Sequence, residues 1–243
     1  MNSALIAVFI AALLVPWVFA VVILLIASRL RRDRGKRRQD FLTAMGLTVL
    51  MGVSTSLNLW LAQHVLHTID ARLWHWNEAM HLDPLAVIYF MEAHENLGIF
   101  MQVVYYALPI VMAVAWMKKQ SPTLRRAVAI AGVGGWIFSA IFPALGPHWY
   151  IDGYTMAMRH CIPAVDLTWA LLLASNARSR LRVPLWIYAA LLAVSSILIG
   201  EHYLVDLIVA VPYALAVQWL AVRWPGYVAK FRPAAAARAA GLT

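Results

Sequence analysis

Two short stretches of this sequence carry the residue types that acid–base and nucleophilic chemistry needs. In GEHYLVDL, residues 200–207, His202 and Asp206 stand four apart, a spacing that puts both side chains on one face of a helix. A carboxylate bonded to one imidazole nitrogen fixes the tautomer and leaves the other nitrogen as a lone pair, as a nucleophile or general base requires. The alternative is an interfacial histidine bonded to an acid for stability alone. In RHCIPAVDLTWALLLAS, residues 159–175, Asp166 opens an apolar run. An ionised carboxylate there is expensive in a bilayer, so it marks either a cap at the water boundary or part of a site. Pro163, a small residue and then Asp before an apolar helical run read as a helix N-cap. Capping and function are compatible, because a helix N-terminus is also where a phosphate binds.

Further candidates surround these two stretches. Arg159 is a cation among acids, suited to an anionic group or to an ion pair with Asp152 or Glu201. His148 and Trp149 follow a Pro-rich turn in FPALGPHWY, where an interfacial aromatic anchor is the plainer account. A metal shell of Asp166, His202, Asp206 and one of His94, Glu95, His148 or His160 is chemically reasonable, with a carboxylate among imidazole ligands. However, EAHEN is not an H-E-x-x-H helix and no fixed ligand spacing is present.

These residues must be positioned by elements suited to a membrane. Of 243 residues, 63% are hydrophobic and 13% charged, and the apolar residues fall into runs of roughly 20, enough to cross a core of about 30 Å. The runs are 3–28, 41–66, 97–117, 127–145, 167–175, 184–200 and 203–222. They predict an all-α polytopic bundle of about seven transmembrane helices in a single membrane domain over 1–243, with two N-terminal spans in 1–66. The stretch 84–90 is too short to cross and is expected at the interface or as a re-entrant segment. Pro109 and Pro212 fall inside spans and predict kinks. Gly132, Gly134 and Gly135 predict a close helix approach. The tail after Arg232 reads as a frayed end. The first run has its basic residues after it, the reverse of a signal peptide, and is expected to stay as an anchor. The single Cys161 excludes an intrachain disulfide framework.

All Lys and Arg except Arg72 and Arg159 lie after the first, third, fifth and seventh runs. By the positive-inside rule the N-terminus is outside and the C-terminus cytoplasmic, in a membrane such as the bacterial inner membrane. The basic cluster at 29–38 has no interleaved aromatics, so no nucleic-acid partner is expected. All acids but Asp33 and Asp40, and every His, sort to the outer face, which places the chemistry towards the periplasm or exterior. The fifth run adds a length argument. Asp166 to Arg178 is twelve residues, or about 18 Å of helix. With Arg178 near the inner boundary, Asp166 lies below the outer surface.

The order PAVDLTWALLL, a basic turn, a further span and then GEHYLVDLIVA resembles the type 2 phosphatidic acid phosphatase superfamily. The closer resemblance is to its branch containing inositol phosphorylceramide synthase, which reads P-S-L-H-x-A-W-A and H-Y-x-x-D at these places; the FPALGPHWY turn is similar too. The resemblance covers roughly 90–222 and implies a phosphatase-like core there. It implies a lipid phosphatase or phosphotransferase acting on a phospholipid or sphingolipid headgroup at the outer leaflet, with His202 as the phosphorylated nucleophile and Asp206 orienting it. Asp166 stands where the proton-donating His is expected, Ala164 where the phosphate-binding Ser is, and Ser196 where soluble-type members carry an Arg. Arg159 and His148 complete the expected phosphate-binding set with Ala164. A protonated Asp166 can donate to a leaving group, whereas an ionised one repels phosphate. The expected partners are membrane lipids and a lipid phosphate, no cofactor is expected, and the sequence is compatible with a homo-oligomer. Other readings are a catalytically silent lipid-binding relative, a metal-dependent membrane enzyme and a transporter, the last weakened by the lack of charge within the third, fourth and sixth runs.

Overall fold

Proline and small polar residues set where several helices begin. In the computed structural model the described residues are 68–118, 121–144, 146–147, 160–161, 164–177 and 179–239, together with 18–26 and scattered positions up to 49. They form α1 (Asp70–Ala79), α2 (Pro84–Ala93), α3 (Glu95–Tyr106), α4 (Leu108–Lys118), α5 (Pro122–Ile141), β1 (Pro143–Ala144), β2 (His160–Cys161), α6 (Val165–Asn176), α7 (Ser179–Leu198) and α8 (Leu204–Ala239). Asp83 caps α2 by accepting from Leu85 N–H (2.9 Å) and Ser121 caps α5 by accepting from Leu124 N–H (3.4 Å), each with a proline next in sequence.

Three helical stretches are long and apolar enough to cross a membrane: Pro122–Ile141, Arg180–Leu198 and Leu204–Pro225. The third run of the sequence is two helices, α3 and α4, bent by 41° at their junction, and they make a fourth crossing if they act as one span. The bend falls beside Pro109, which lacks the N–H for the ladder and whose ring crowds the carbonyl one turn back. The expected kink at Pro212 is not accompanied by a break, because α8 continues through it. Nor does the helix end at Arg232: it runs to Ala239, through an alanine-rich sequence of high helix propensity.

The expectation of seven crossings changes accordingly. The first two runs lie largely outside the described residues, and residues 18–26 contribute Ala20 and Leu24, which pack against Ala113 of α4. The fifth run is α6, which has only 12 residues. At about 18 Å it is too short to cross a core of about 30 Å. It is instead a central helix packed against α4, α5, α7 and α8. Its Trp169 indole donates to the Val128 carbonyl of α5 (3.2 Å), and Asn176 at its far end donates to Gln218 of α8 (2.9 Å). The two-residue strands β1 and β2 pair antiparallel, with Pro143 opposite Cys161 and Ala144 opposite His160.

The glycines of α5 do allow close approach. A Cβ on Gly134 would run into the Tyr213 hydroxyl, which is donated to the Ala131 carbonyl (2.9 Å), and one on Gly135 would run into Val165 Cγ2 at the start of α6. Val165 is β-branched and cannot swing away easily. Gly135→Ala is therefore expected to destabilise the protein by about 1–3 kcal/mol through overpacking. A lowered thermal unfolding midpoint in detergent micelles checks this; an unchanged midpoint contradicts the close packing.

Candidate active site

The link between α7 and α8 is built by backbone chemistry. Gly200 adopts φ +72° and ends α7. Its N–H donates to the Ile197 carbonyl (3.0 Å), and Glu201 N–H donates to the Ser196 carbonyl (3.1 Å). This bond pair is the Schellman arrangement, which favours glycine at the left-handed position. His202 N–H also donates to the Ser196 carbonyl (3.1 Å), so the turn that leads into α8 is fixed from behind. Tyr203 then stands at the start of α8, and Asp206 reaches back to accept from Tyr203 N–H (3.0 Å), the acidic half of a capping box.

The start of α6 is brought to the same place. Ala164 N–H donates to the Asp206 carbonyl (3.2 Å), which joins the beginnings of α6 and α8 directly. Asp166 lies in the first turn of α6 and not at the N-cap. Ala164 occupies the cap with no side-chain bond, while Asp166 Oδ1 accepts from Leu167 N–H (2.8 Å). The capping expectation for Asp166 is corrected by what this carboxylate faces, because Asp166 Oδ1 lies 3.4 Å from His202 Nε2. On the other edge of the ring, Asp206 Oδ2 lies 3.5 Å from His202 Nδ1. One imidazole is thus held between two carboxylates. The His202 side chain is 4% exposed and that of Asp206 1%, while Asp166 keeps 16%, the most open of the three.

Burial alone would lower the imidazole pKa, but Asp166 foremost, then Asp206, overcome that penalty and raise it from 6.5 to about 10. Residues that the sequence reading did not single out join the site from the bend between α3 and α4. The Tyr105 hydroxyl lies close enough to Asp166, and that of Tyr106 to the buried Glu201, for the carboxylates to act on them electrostatically. The legible signal for them was a tyrosine pair just ahead of the kinking Pro109. Ser196, at the place of the missing arginine, is buried and donates to the Leu192 carbonyl (2.7 Å).

Of the sequence-derived set, His202, Asp206, Asp166 and Ala164 come together. The Ala164 methyl is buried in a cluster with Leu167, Leu207 and Ala210, so it offers no side-chain donor. Arg159 and His148 lie outside the described residues, as does the side chain of His160. His94 is engaged elsewhere, with Nδ1 2.7 Å from the Phe90 carbonyl and its ring stacked on Phe90. Among the described residues no group of three or more His, Cys, Asp or Glu is placed to hold a metal ion. The reason is visible in the geometry: Asp166 and Asp206 sit on opposite edges of the imidazole and do not converge on one point.

Because the folded state holds the His202 pKa above 6.5, its contribution to stability is fully present below that value. It is lost as pH rises through about 10. The unfolding midpoint of the wild type is expected to fall over that window, and His202→Gln to flatten this alkaline limb. Equal slopes in the two proteins, measured by thermal unfolding across pH, would contradict the charged imidazole.

Comparison with known proteins bears on the same residues. The PAP2 superfamily model matches residues 152–220, a stretch that holds Asp166, His202 and Asp206. No curated protein and no solved structure matches the chain. Over residues 152–220, less than a third of the chain, the sequence is similar to the PAP2 superfamily, and the described helices include three long and apolar enough to cross a membrane.

Proposed function

We propose that this protein is a lipid phosphatase or phosphotransferase that acts on a lipid phosphate at the outer leaflet through a phosphohistidine at His202. The observation that carries this reading is the imidazole held between Asp166 and Asp206 where two helix N-termini meet. The excess of Lys and Arg at the opposite ends of the helices supports an orientation with the site outside and the C-terminus cytoplasmic. The finer assignment is to the inositol phosphorylceramide synthase-like branch.

The site has its own proton source. In the resting state the Nε2 proton lies between His202 and Asp166, 3.4 Å apart. As the lipid phosphate enters, that proton passes to Asp166 and the freed Nε2 lone pair attacks phosphorus. The bond from phosphorus to the lipid oxygen breaks, and Asp166 gives its proton to that oxygen, releasing the lipid alcohol. In the second half an acceptor hydroxyl, from water or another alcohol, gives its proton to Asp166 and attacks phosphorus. The P–N bond breaks and the proton returns to Nε2. Asp206 holds the ring through Nδ1 and stabilises the developing positive charge. The phosphate itself is held by Arg159, His148 and the start of α6 at Ala164.

Purified protein given phosphatidic acid in mixed micelles is expected to release phosphate or to transfer it to an added alcohol. His202→Ala should lower the rate by roughly a thousandfold or more, and Asp166→Asn by about a hundredfold. A labelled phosphoryl group should be trapped on the wild type and not on His202→Ala. Full activity in His202→Ala overturns the mechanism.

A second reading is favoured by one specific observation: Nε2 faces a carboxylate, and Ala164 has no hydroxyl. The chain would then be a silent relative that binds a lipid headgroup. The paired change Ala164→Ser and Asp166→His restores the pattern the sequence resembles. Activity gained from none identifies a silent protein; existing activity that falls shows Asp166 to have its own role.

A further inference from the structure

The residue following His202 and the one after that are both held by a helix far away in sequence and outside the matched family region. α1 buries one face, made of Asp70, Leu73 and Asn77, positions that recur along a single helical stripe. The Tyr203 hydroxyl donates to Asp70 Oδ1 (3.0 Å), and Leu204 N–H, at the first position of α8, donates to Asn77 Oδ1 (3.1 Å). Between them Leu73 packs with Tyr203 and Ala144 in a fully buried cluster. Asp70 Oδ1 also accepts from Gly146 N–H (3.2 Å). Gly146, at φ +88°, lies so close to the Glu201 carbonyl that a Cβ would collide with it. Three neighbours of His202 in sequence, Glu201, Tyr203 and Leu204, are therefore gripped from one side.

Two polar residues on the buried face of a short helix are costly unless they are bonded, and here their acceptors go to the turn that carries His202. We propose that Asp70 and Asn77 are positioning residues, which make α1 a clamp that sets the angle of the His202 imidazole between Asp166 and Asp206. The proposal rests on the reading of His202 as the reacting group. The clamp works through the backbone. Asn77 fixes the first free N–H of α8, Asp70 fixes the Tyr203 ring, and the His202 side chain can then turn only about its own bonds. With the carboxylates already at 3.4 and 3.5 Å, a small rotation of the turn would move the imidazole out of reach of one of them.

The experiment uses the full chain in detergent micelles. Tyr203→Phe deletes only the hydroxyl that Asp70 accepts, and Asn77→Ala deletes the acceptor for Leu204 N–H. Each is expected to lower kcat on phosphatidic acid by about tenfold to a hundredfold, the scale of a misplaced reacting group, with KM changed less than about threefold. Asn77→Asp keeps an acceptor beside a helix N-terminus, where negative charge is favourable, and is expected to recover most of the loss. The second readout needs no turnover: NMR titration of the histidines, with His202 assigned by its disappearance in His202→Ala. In Tyr203→Phe and Asn77→Ala its midpoint should move from about 10 towards 6.5 as the ring leaves its carboxylates. A lowered unfolding midpoint with unchanged kcat and unchanged His202 titration would overturn the proposal and leave α1 as a stabilising element. If His202→Ala keeps full activity, the phosphohistidine reading fails, while the titration still decides the clamp. If one variant does not fold, the other supplies both readouts.

Discussion

An imidazole flanked by two carboxylates inside a bundle of apolar helices is the constraint around which the described structure is arranged. Each of these groups loses hydration on burial, and their mutual attraction offsets that loss only if the geometry is held and the remaining polar atoms are satisfied. Both carboxylates sit in the first turn of a helix, Asp166 in α6 and Asp206 in α8, where the helix dipole favours negative charge. Bringing two helix starts together is the step that makes the trio feasible, and the bond from Ala164 N–H to the Asp206 carbonyl does so. The shortness of α6 follows. A helix long enough to span the membrane would begin at the water boundary, whereas one of 12 residues can begin within the bundle.

That geometry explains which parts of the site were legible in the sequence. His202 and Asp206 are four apart, a local spacing, and the structure does bring them together, although His202 lies in the turn before α8 and only Asp206 is within the helix. Asp166 was marked by its place at an apolar run; the N-cap position the pattern assigned to it is Ala164's, while its carboxylate accepts the first-turn N–H of Leu167 and also faces His202. Local pattern cannot see that an imidazole 36 positions later competes for the carboxylate. Asp70 and Asn77 left no trace, because their bonds to Tyr203 and Leu204 bridge 133 and 127 positions. The tyrosines at 105 and 106 were hidden differently: in an apolar run they read as packing residues, and only the bend before Pro109 turns them to the site.

The same distinction holds for the fold. Run length found the helices but not their number of crossings, since the third run breaks into α3 and α4 and the fifth stays within the bundle. Proline was a good guide at 109, where the third run bends by 41° between α3 and α4, and at 212 the helix runs on without a break. Glycine in α5 was informative for a physical reason that survives folding: close approach needs a missing side chain, whatever the partner proves to be. The partners here are Val165 and Tyr213, one beside Asp166 and one on the helix that begins next to His202.

The replacement of an imidazole by Asp166 matters most for the timing of proton movement under the proposed chemistry. A protonated histidine at that position would bring its own proton to the leaving oxygen, independently of the nucleophile. Asp166 has no such reserve while His202 remains the stronger base of the pair, so the proton it delivers must first come from His202 Nε2. Activating the nucleophile and arming the acid then become a single transfer across 3.4 Å. An arriving phosphate helps that transfer in one direction only. Its negative charge opposes an ionised Asp166 and so favours the proton on the carboxyl, which frees the lone pair at the moment phosphorus is in place. The Tyr105 hydroxyl beside Asp166 works the other way under this scheme, because a donor near the carboxylate favours its ionised form until substrate tips the balance.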